Sequence, residues 1–329
     1  MKKATALCLA HIAMAATGLP ALADGVSASD YPNKSIRVVV PFAAAGVTDI
    51  VTRILFDQIG KRLGQPVIID NRPGAGGNIA VDQVAKSSPD GYTLVVADPS
   101  SSLPANVTLF PKLTFHPVKD LVPIAIFGTT GAVVIVTNSL PAKSIQEFVS
   151  LAKSKPGELT YGSTGNGTPG HLNGALFSRL AGIKTVHVPY RVGGQGTTDL
   201  IAGRISFWIA PIPTRLQQVN NGELRALAVA GNTRSADLPG IPTIKESGIG
   251  DFDASTTYAL FAPKGTPPEI ADKLYMEIKR ALENEDVQRR FRAAGVEPKL
   301  GGGADVTRLL ETQIPLWASV ITGAGITID

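Results

Sequence analysis

Short β-branched runs alternate with helical stretches along the chain, and this alternation limits the fold more than any other feature. Residues 36–40 form such a run, followed by a glycine-containing turn and an amphipathic stretch at 49–63, where Ile50, Ile54, Leu55 and Ile59 are spaced for one helical face. Residues 67–69 read as the next strand, 79–87 as a helix and 94–97 as a third strand. Strands separated by helices need crossover connections, which are right-handed and build a parallel sheet with helices on its faces. The pattern resumes with a strand at 132–137, a helix at 144–154, a strand at 159–161, a helix at 169–180 and strands at 185–188, 205–209 and 224–230, so a second sheet is expected. One long helix is expected over 267–294, opened by Pro267 and Pro268 and closed by Gly295.

A chain of 329 residues has the length of about two domains. Two extended stretches, 124–136 and 253–261, have the character of crossings between the sheets. A chain that leaves the first sheet at one and returns at the other divides into a discontinuous domain, 24–126 with 253–329, and an inserted one, 127–252. Two crossings make a hinge, and a hinge makes a cleft that can close on a ligand.

The first 23 residues have the order of a secretory signal peptide: Lys2 and Lys3, an apolar run, then Ala21 and Ala23 flanking Leu22 before Asp24. Gly18 and Pro20 interrupt the run short of the roughly 20 apolar residues a membrane span needs. The expected destination is the periplasm. The single cysteine, Cys8, falls inside the leader, so the mature chain is expected to have neither disulfide nor thiol nucleophile. The net charge of +4 includes the two leader lysines and has no dense basic stretch behind it, which excludes the electrostatic footprint of a nucleic-acid binder.

Two strand-to-helix loops carry the candidate site. In Pro41-Phe42-Ala43-Ala44-Ala45-Gly46-Val47-Thr48-Asp49, small residues precede a helix start, where free N–H groups and the helix dipole favour an anion. Thr48 or Asp49 can also serve as a cap. Because Asp49 would repel an anion at short range, it is expected to orient backbone or water, or to meet an ammonium group. The second loop is Tyr161-Gly162-Ser163-Thr164-Gly165-Asn166-Gly167-Thr168-Pro169-Gly170-His171. Gly165, Gly167 and Gly170 match the dinucleotide fingerprint, but the acidic residue needed after the next strand is missing, with Val188-Pro189-Tyr190-Arg191 in its place. A second anion cradle is the better reading. The carboxylate is expected to be held by the amides of these two loops, without a lysine or arginine to neutralise it.

A hydrolase built on Ser163 and His171 is the enzymatic alternative, although Tyr161 stands where a nucleophile elbow needs glycine. No paired-histidine spacing supports zinc. Asn71-Arg72-Pro73-Gly74-Ala75-Gly76-Gly77-Asn78 lacks the Gly-Lys-Ser/Thr ending of a phosphate loop and reads as a turn, with Arg72 paired to a backbone or carboxylate group. Trp208 reads as core, with cleft exposure open to it.

Taken together, the first strand and loop, the 71–78 segment followed by Pro89-Asp90-Gly91-Tyr92-Thr93-Leu94, the 161–171 loop with Leu172, and His187-Val188-Pro189-Tyr190-Arg191 resemble the Bug family of periplasmic solute-binding proteins, the receptors of tripartite tricarboxylate transporters. The resemblance covers essentially the whole mature chain. It implies an α/β fold of the type II periplasmic binding class: a two-lobed Venus flytrap with two mostly parallel sheets joined by two hinge crossings. It also implies that the chain is not an enzyme, needs no cofactor, and passes a small carboxylate to a membrane permease; a monomer is expected. Carried onto this sequence, Phe42, Ala45, Gly46, Val47, Thr48 and Asp49 meet the carboxylate from one lobe. Ser163, Thr164, Gly165, Asn166, Gly167 and Thr168 meet it from the other, with His171 bracing them. Ser100, Ser101, Tyr190 and Arg191 line the remainder. Family members often have Gly-Gly where this chain has Ala45-Gly46, which restricts or shifts a positive-φ conformation. They also often carry an acid where this chain has Ala210, so the ligand is expected to be a simple mono- or dicarboxylate, aromatic ones included, rather than an amino acid. Signalling through a membrane sensor kinase is the alternative partner role.

Overall fold

β1 (Ile36–Val40) is buried on both faces, with Ile36, Val38, Val39 and Val40 fully covered, as its unbroken β-branched run requires of a central strand. The structure is a computed structural model that describes residues 30–190 and 193–328; the expected signal peptide with Cys8, and Arg191, lie outside the described residues. After β1 come α1 (Val47–Leu63), β2 (Val67–Asn71), α2 (Asn78–Ala85), β3 (Thr93–Ala97), α3 (Ser102–Leu109) and β4 (Leu121–Thr130). The chain continues with β5 (Ala132–Thr137), α4 (Ile145–Ser154), β6 (Thr160–Ser163), α5 (Pro169–Ala181), β7 (Val186–Pro189), α6 (Gly193–Ile201), β8 (Phe207–Pro211), α7 (Leu216–Asn220) and β9 (Leu224–Ala230). It ends with β10 (Thr256–Pro263), α8 (Pro268–Leu282), α9 (Glu285–Ala293), β11 (Glu297–Gly302) and α10 (Gly303–Ala324).

The strands form two sheets, ordered β11-β4-β10-β3-β1-β2 and β7-β6-β8-β5-β9. The first pairs β2, β1 and β3 in parallel, and the second pairs β7, β6 and β8 in parallel. The remaining pairings are antiparallel, so both sheets are mixed rather than mostly parallel. The reason is the crossings. β4 ends at Thr130 in the first sheet and β5 starts at Ala132 in the second, so one nearly continuous strand serves both. The return begins at Ala254, whose N–H donates to Ala230 O, and Thr256 of β10 pairs with Thr130.

Three details differ from the sequence reading. On α1 the buried stripe uses Val51 with Ile54, Leu55 and Ile59, whereas Ile50 is 39% exposed. The long helix expected over 267–294 is two helices, because the Asn284 side chain accepts the Asp286 and Val287 N–H groups and starts α9 anew. The 22-residue α10 carries no expectation from the sequence at all. Val306 and Leu310 at its start pack with the first sheet, while Trp317, Val320 and Ile321 join the core of the second. Among the described residues no helix is long and apolar enough to cross a membrane, and no cluster of metal-ligating side chains is present.

Candidate functional site

The first loop is organised by Asp49. Parallel register sets Val40 opposite Asn71, and from there Asn71 Nδ2 donates to Phe42 O and to Asp49 Oδ1, both at 3.0 Å. Asp49 Oδ2 accepts the Ala45 N–H at 2.9 Å, and Arg53 Nε donates to both carboxylate oxygens at 2.9 and 3.0 Å. Burial opposes the charge on Asp49, but the hydrogen bonds from Arg53, the Ala45 amide and Asn71 hold its carboxyl below the usual carboxylate range. The acid is therefore a backbone organiser with its own counter-charge. Arg53 was missed in the sequence, where its i,i+4 spacing from Asp49 is the available signal. No side chain caps α1 at Gly46, so the N–H groups of its first turn stay available. Phe42, Ala45 and Gly46 are exposed, and Val47 and Thr48 partly so.

Ala45 occupies the left-handed region at φ 66°, so the conformation that glycine usually supplies is kept here on alanine. That costs roughly 1 to 2 kcal/mol, against which glycine's greater unfolded-state freedom costs about 0.5 to 1 kcal/mol. Ala45→Gly is expected to stabilise the protein by roughly 0.5 kcal/mol, read as a higher urea midpoint; a lower midpoint would show that Ala45 is unstrained.

The second loop is held from within. Ser163 is fully buried; its Oγ accepts the Gly165 N–H at 3.1 Å and lies 2.9 Å from Gly165 O and 2.6 Å from His187 Nε2. All three contacts are satisfied when Ser163 donates to the carbonyl and a neutral His187 donates from Nε2. The His171 ring stacks on His187 with centroids 3.6 Å apart, and its Nδ1 accepts the Gly167 N–H at 3.2 Å. Burial pulls both imidazoles down to about 4, with His171 adding to the shift of His187. The hydrolase pairing of Ser163 with His171 is thus corrected: the serine's partner is His187, and its hydroxyl is sealed from solvent. Thr168 Oγ1 donates to Gly165 O rather than capping α5, which leaves that helix start open as well.

Gly167, at φ 71°, would place a Cβ 2.7 Å from Ile328 Cγ2 and 3.2 Å from Leu109 Cδ1. Glycine there serves close packing. Thr164 and Asn166 are the exposed members of the loop. Ser100 and Ser101 direct their hydroxyls to Asp98 Oδ1 and Oδ2, at 2.5 and 2.6 Å. Ser100 also meets Ser255 O at 2.8 Å and accepts the Trp317 indole N–H at 2.9 Å, so it braces the crossing. The Tyr190 N–H donates to Ser163 O and its hydroxyl to Asp199, while its ring stacks on Trp208. Arg72 pairs with Asp70, as the turn reading of its segment requires.

A cavity of about 410 Å³ lies at the carboxyl ends of β6 and β8, where α/β sheets place ligands. Thr164, Gly170, Asn173 and Ala210 line it, with Gly193 and Gly194 at the start of α6 and Thr130 and Thr256 at the crossings. Trp208 both packs in the core and contributes to the wall. No residue of the first loop lines this cavity; Phe42 borders a separate small crevice with Asp98 and Ser102. The only charged side chain on the wall among the described residues is Arg215. Its guanidinium lies 5.4 Å from the Trp208 ring centroid and donates to Thr214 O at 2.6 Å, while its buried Nε has no partner. This cavity thus carries an arginine on its wall, where the expected site had none. A further cavity of about 540 Å³ is lined by residues including Arg234 and Arg292, which are already paired with Glu246 and Glu297.

A model of the tripartite tricarboxylate transporter family receptor matches residues 51–326. The chain is 34% identical to protein BugT of Bordetella pertussis over 304 residues, covering 92% of this chain and 93% of that protein. Among solved structures, an R. palustris protein with adipate shares 33% identity at a TM-score of 0.76, covering 91% of this chain and 99% of that one. MatC from Rhodopseudomonas palustris with bound malate shares 32% identity at a TM-score of 0.74, over 88% and 100%.

Proposed function

Because the chain belongs to the receptor family of the tripartite tricarboxylate transporters, we propose that it captures a small organic mono- or dicarboxylate between its lobes and delivers it to the permease of such a transporter. Membership makes it a periplasmic solute-binding receptor and not an enzyme. The carrying observation is the cavity of about 410 Å³ fed by the uncapped start of α5, a volume within the roughly 300–1,000 Å³ of small-molecule sites. Relatives solved with adipate and with malate support an acid as ligand.

In this reading the first lobe runs to the end of β4 at Thr130, beyond the boundary expected at 126, and resumes over 253–329; the second is 131–252, and the chain acts as a monomer. The crossings near Gly131 and Ala254 flex, and closure carries the first loop, with its open α1 amides, over the cavity. Water leaves, and each N–H contact to the anion strengthens as the local dielectric falls. Ser163, His171, Ser100, Ser101 and Tyr190 hold the walls. A thermal-shift screen of carboxylates on ligand-stripped protein tests the reading. A true ligand at 100 to 1,000 times its Kd stabilises by about 3 to 4 kcal/mol; a library of mono- and dicarboxylates without a responder would overturn it.

A further inference from the structure

We infer that Arg215 is the partner of a second anionic group on the ligand, so that the site selects dicarboxylates over monocarboxylates of equal length. The inference rests on the proposed carboxylate-binding function and deepens it. Backbone amides at the starts of α1 and α5 suffice for one carboxylate, because neither helix start is capped by a side chain. Arg215 is then a surplus charge on the same wall. No acid lines the cavity with it, no ion pair engages it among the described residues, and its Nε is buried without a hydrogen bond.

Arg215 is partly buried and Nη1 already donates to Thr214 O, but once closure removes the remaining water its charge is costly unless an anion joins it. Its geometry is nevertheless prepared. Trp208 lies beneath the guanidinium and is itself fixed by stacking on Tyr190, and a Cβ at Gly193 would stand 3.9 Å from Arg215 Nη2. The open side of the fork therefore borders the first turn of α6, where N–H groups favour the same sign of charge. Asn173, 4% exposed on the same wall, has an Oδ1 without a partner, an acceptor that suits a hydroxyl or other donor on the ligand backbone rather than a carboxylate. The wall thus holds one cation without an ion pair, which an alkyl tail does not satisfy. A carboxylate matches the planar fork of arginine with paired N–H···O bonds.

The test is calorimetric titration of ligand-stripped wild type, Arg215→Gln and Arg215→Lys with succinate, glutarate and adipate and with butyrate, valerate and hexanoate. Wild type is expected to bind its best diacid at least about 100-fold tighter than the matching monoacid. Arg215→Gln should bring the two within about threefold by losing diacid affinity alone, and Arg215→Lys should recover part of the difference. Without ligand, Arg215→Gln should unfold at or above the wild-type temperature, because a partly buried charge without an ion pair has been removed. A diacid preference that survives in Arg215→Gln, or monoacids bound by wild type as tightly as diacids, overturns this inference and leaves the carboxylate reading standing. Absence of binding in both series overturns the two together.

Discussion

Asp49→Ala is expected to lower the free energy of unfolding by about 3 kcal/mol and to weaken ligand binding at the same time. The carboxylate is 3% exposed and accepts bonds from Ala45, Arg53 and Asn71. Hydrogen bonds to a charged group contribute about 1.5–3 kcal/mol each, but the Arg53 side chain is 49% exposed and rehydrates readily, so its share is discounted. Without Asp49, the Ala45 amide and the Asn71 side chain lose their common acceptor, and with it the loop loses its left-handed residue. Asp49→Asn keeps one acceptor oxygen and should recover about half the loss. The check is urea unfolding beside calorimetric titration. A deficit under about 1 kcal/mol would reduce Asp49 to an ordinary first-turn acid.

Acidification should produce the other large effect, between about pH 6.5 and pH 4. The His171 and His187 rings are pulled down to about 4 in the fold, whereas in the unfolded chain they return to the ordinary 6.5. The unfolded state therefore takes up protons first as pH falls. Their contribution is intact above pH 6.5, declines through the interval and is gone below about 4, a loss on the order of 3 kcal/mol for the first ring to charge. The stack then works against a second proton. Protonation also removes the Nδ1 acceptor from the Gly167 N–H, so the loop at 163–168 should loosen with it. Urea midpoints measured from pH 7.5 to 4 should fall steeply in wild type, still fall in His171→Gln, where burial keeps His187 depressed, and fall least when His171→Gln is combined with His187→Gln; a flat wild-type profile down to pH 5 would remove the pair from the stability of the loop. Asp49 acts in a lower window: with its folded pKa depressed below 3.8, its contribution persists above that pH and disappears only on further acidification.

The sequence made the parallel parts of the sheets legible because β-branched runs and helical spacing are local signals. It did not reveal the antiparallel parts, since whether β4 and β10 run against their neighbours depends on where the chain crosses. It also missed the break at Asn284, where one capping side chain outweighs a continuous helical pattern. At the candidate site, residue type singled out the two loops, but the roles inside them depend on contacts distant in sequence. Ser163 is 24 residues from His187, and nothing in the spacing distinguishes that histidine from His171. Arg215 escaped notice for a related reason: in Pro211-Ile212-Pro213-Thr214-Arg215 it resembles any surface arginine after a turn. Only the fold reveals that no acid among the described residues pairs with it.

α10 runs for 22 residues, about 33 Å, and is anchored at its two ends in different cores. Mechanically it is a beam bolted across a clamp, and it resists any opening that would pull its ends apart. Pro315 supplies the notch: lacking an N–H, it removes one rung from the ladder between Leu310 and Trp317. Bending is cheapest at that notch, so the closure proposed above would find there a built-in pivot and a limit. The same beam ties the melting of either half to the other, because neither can lose its packing without stripping one end of the rod.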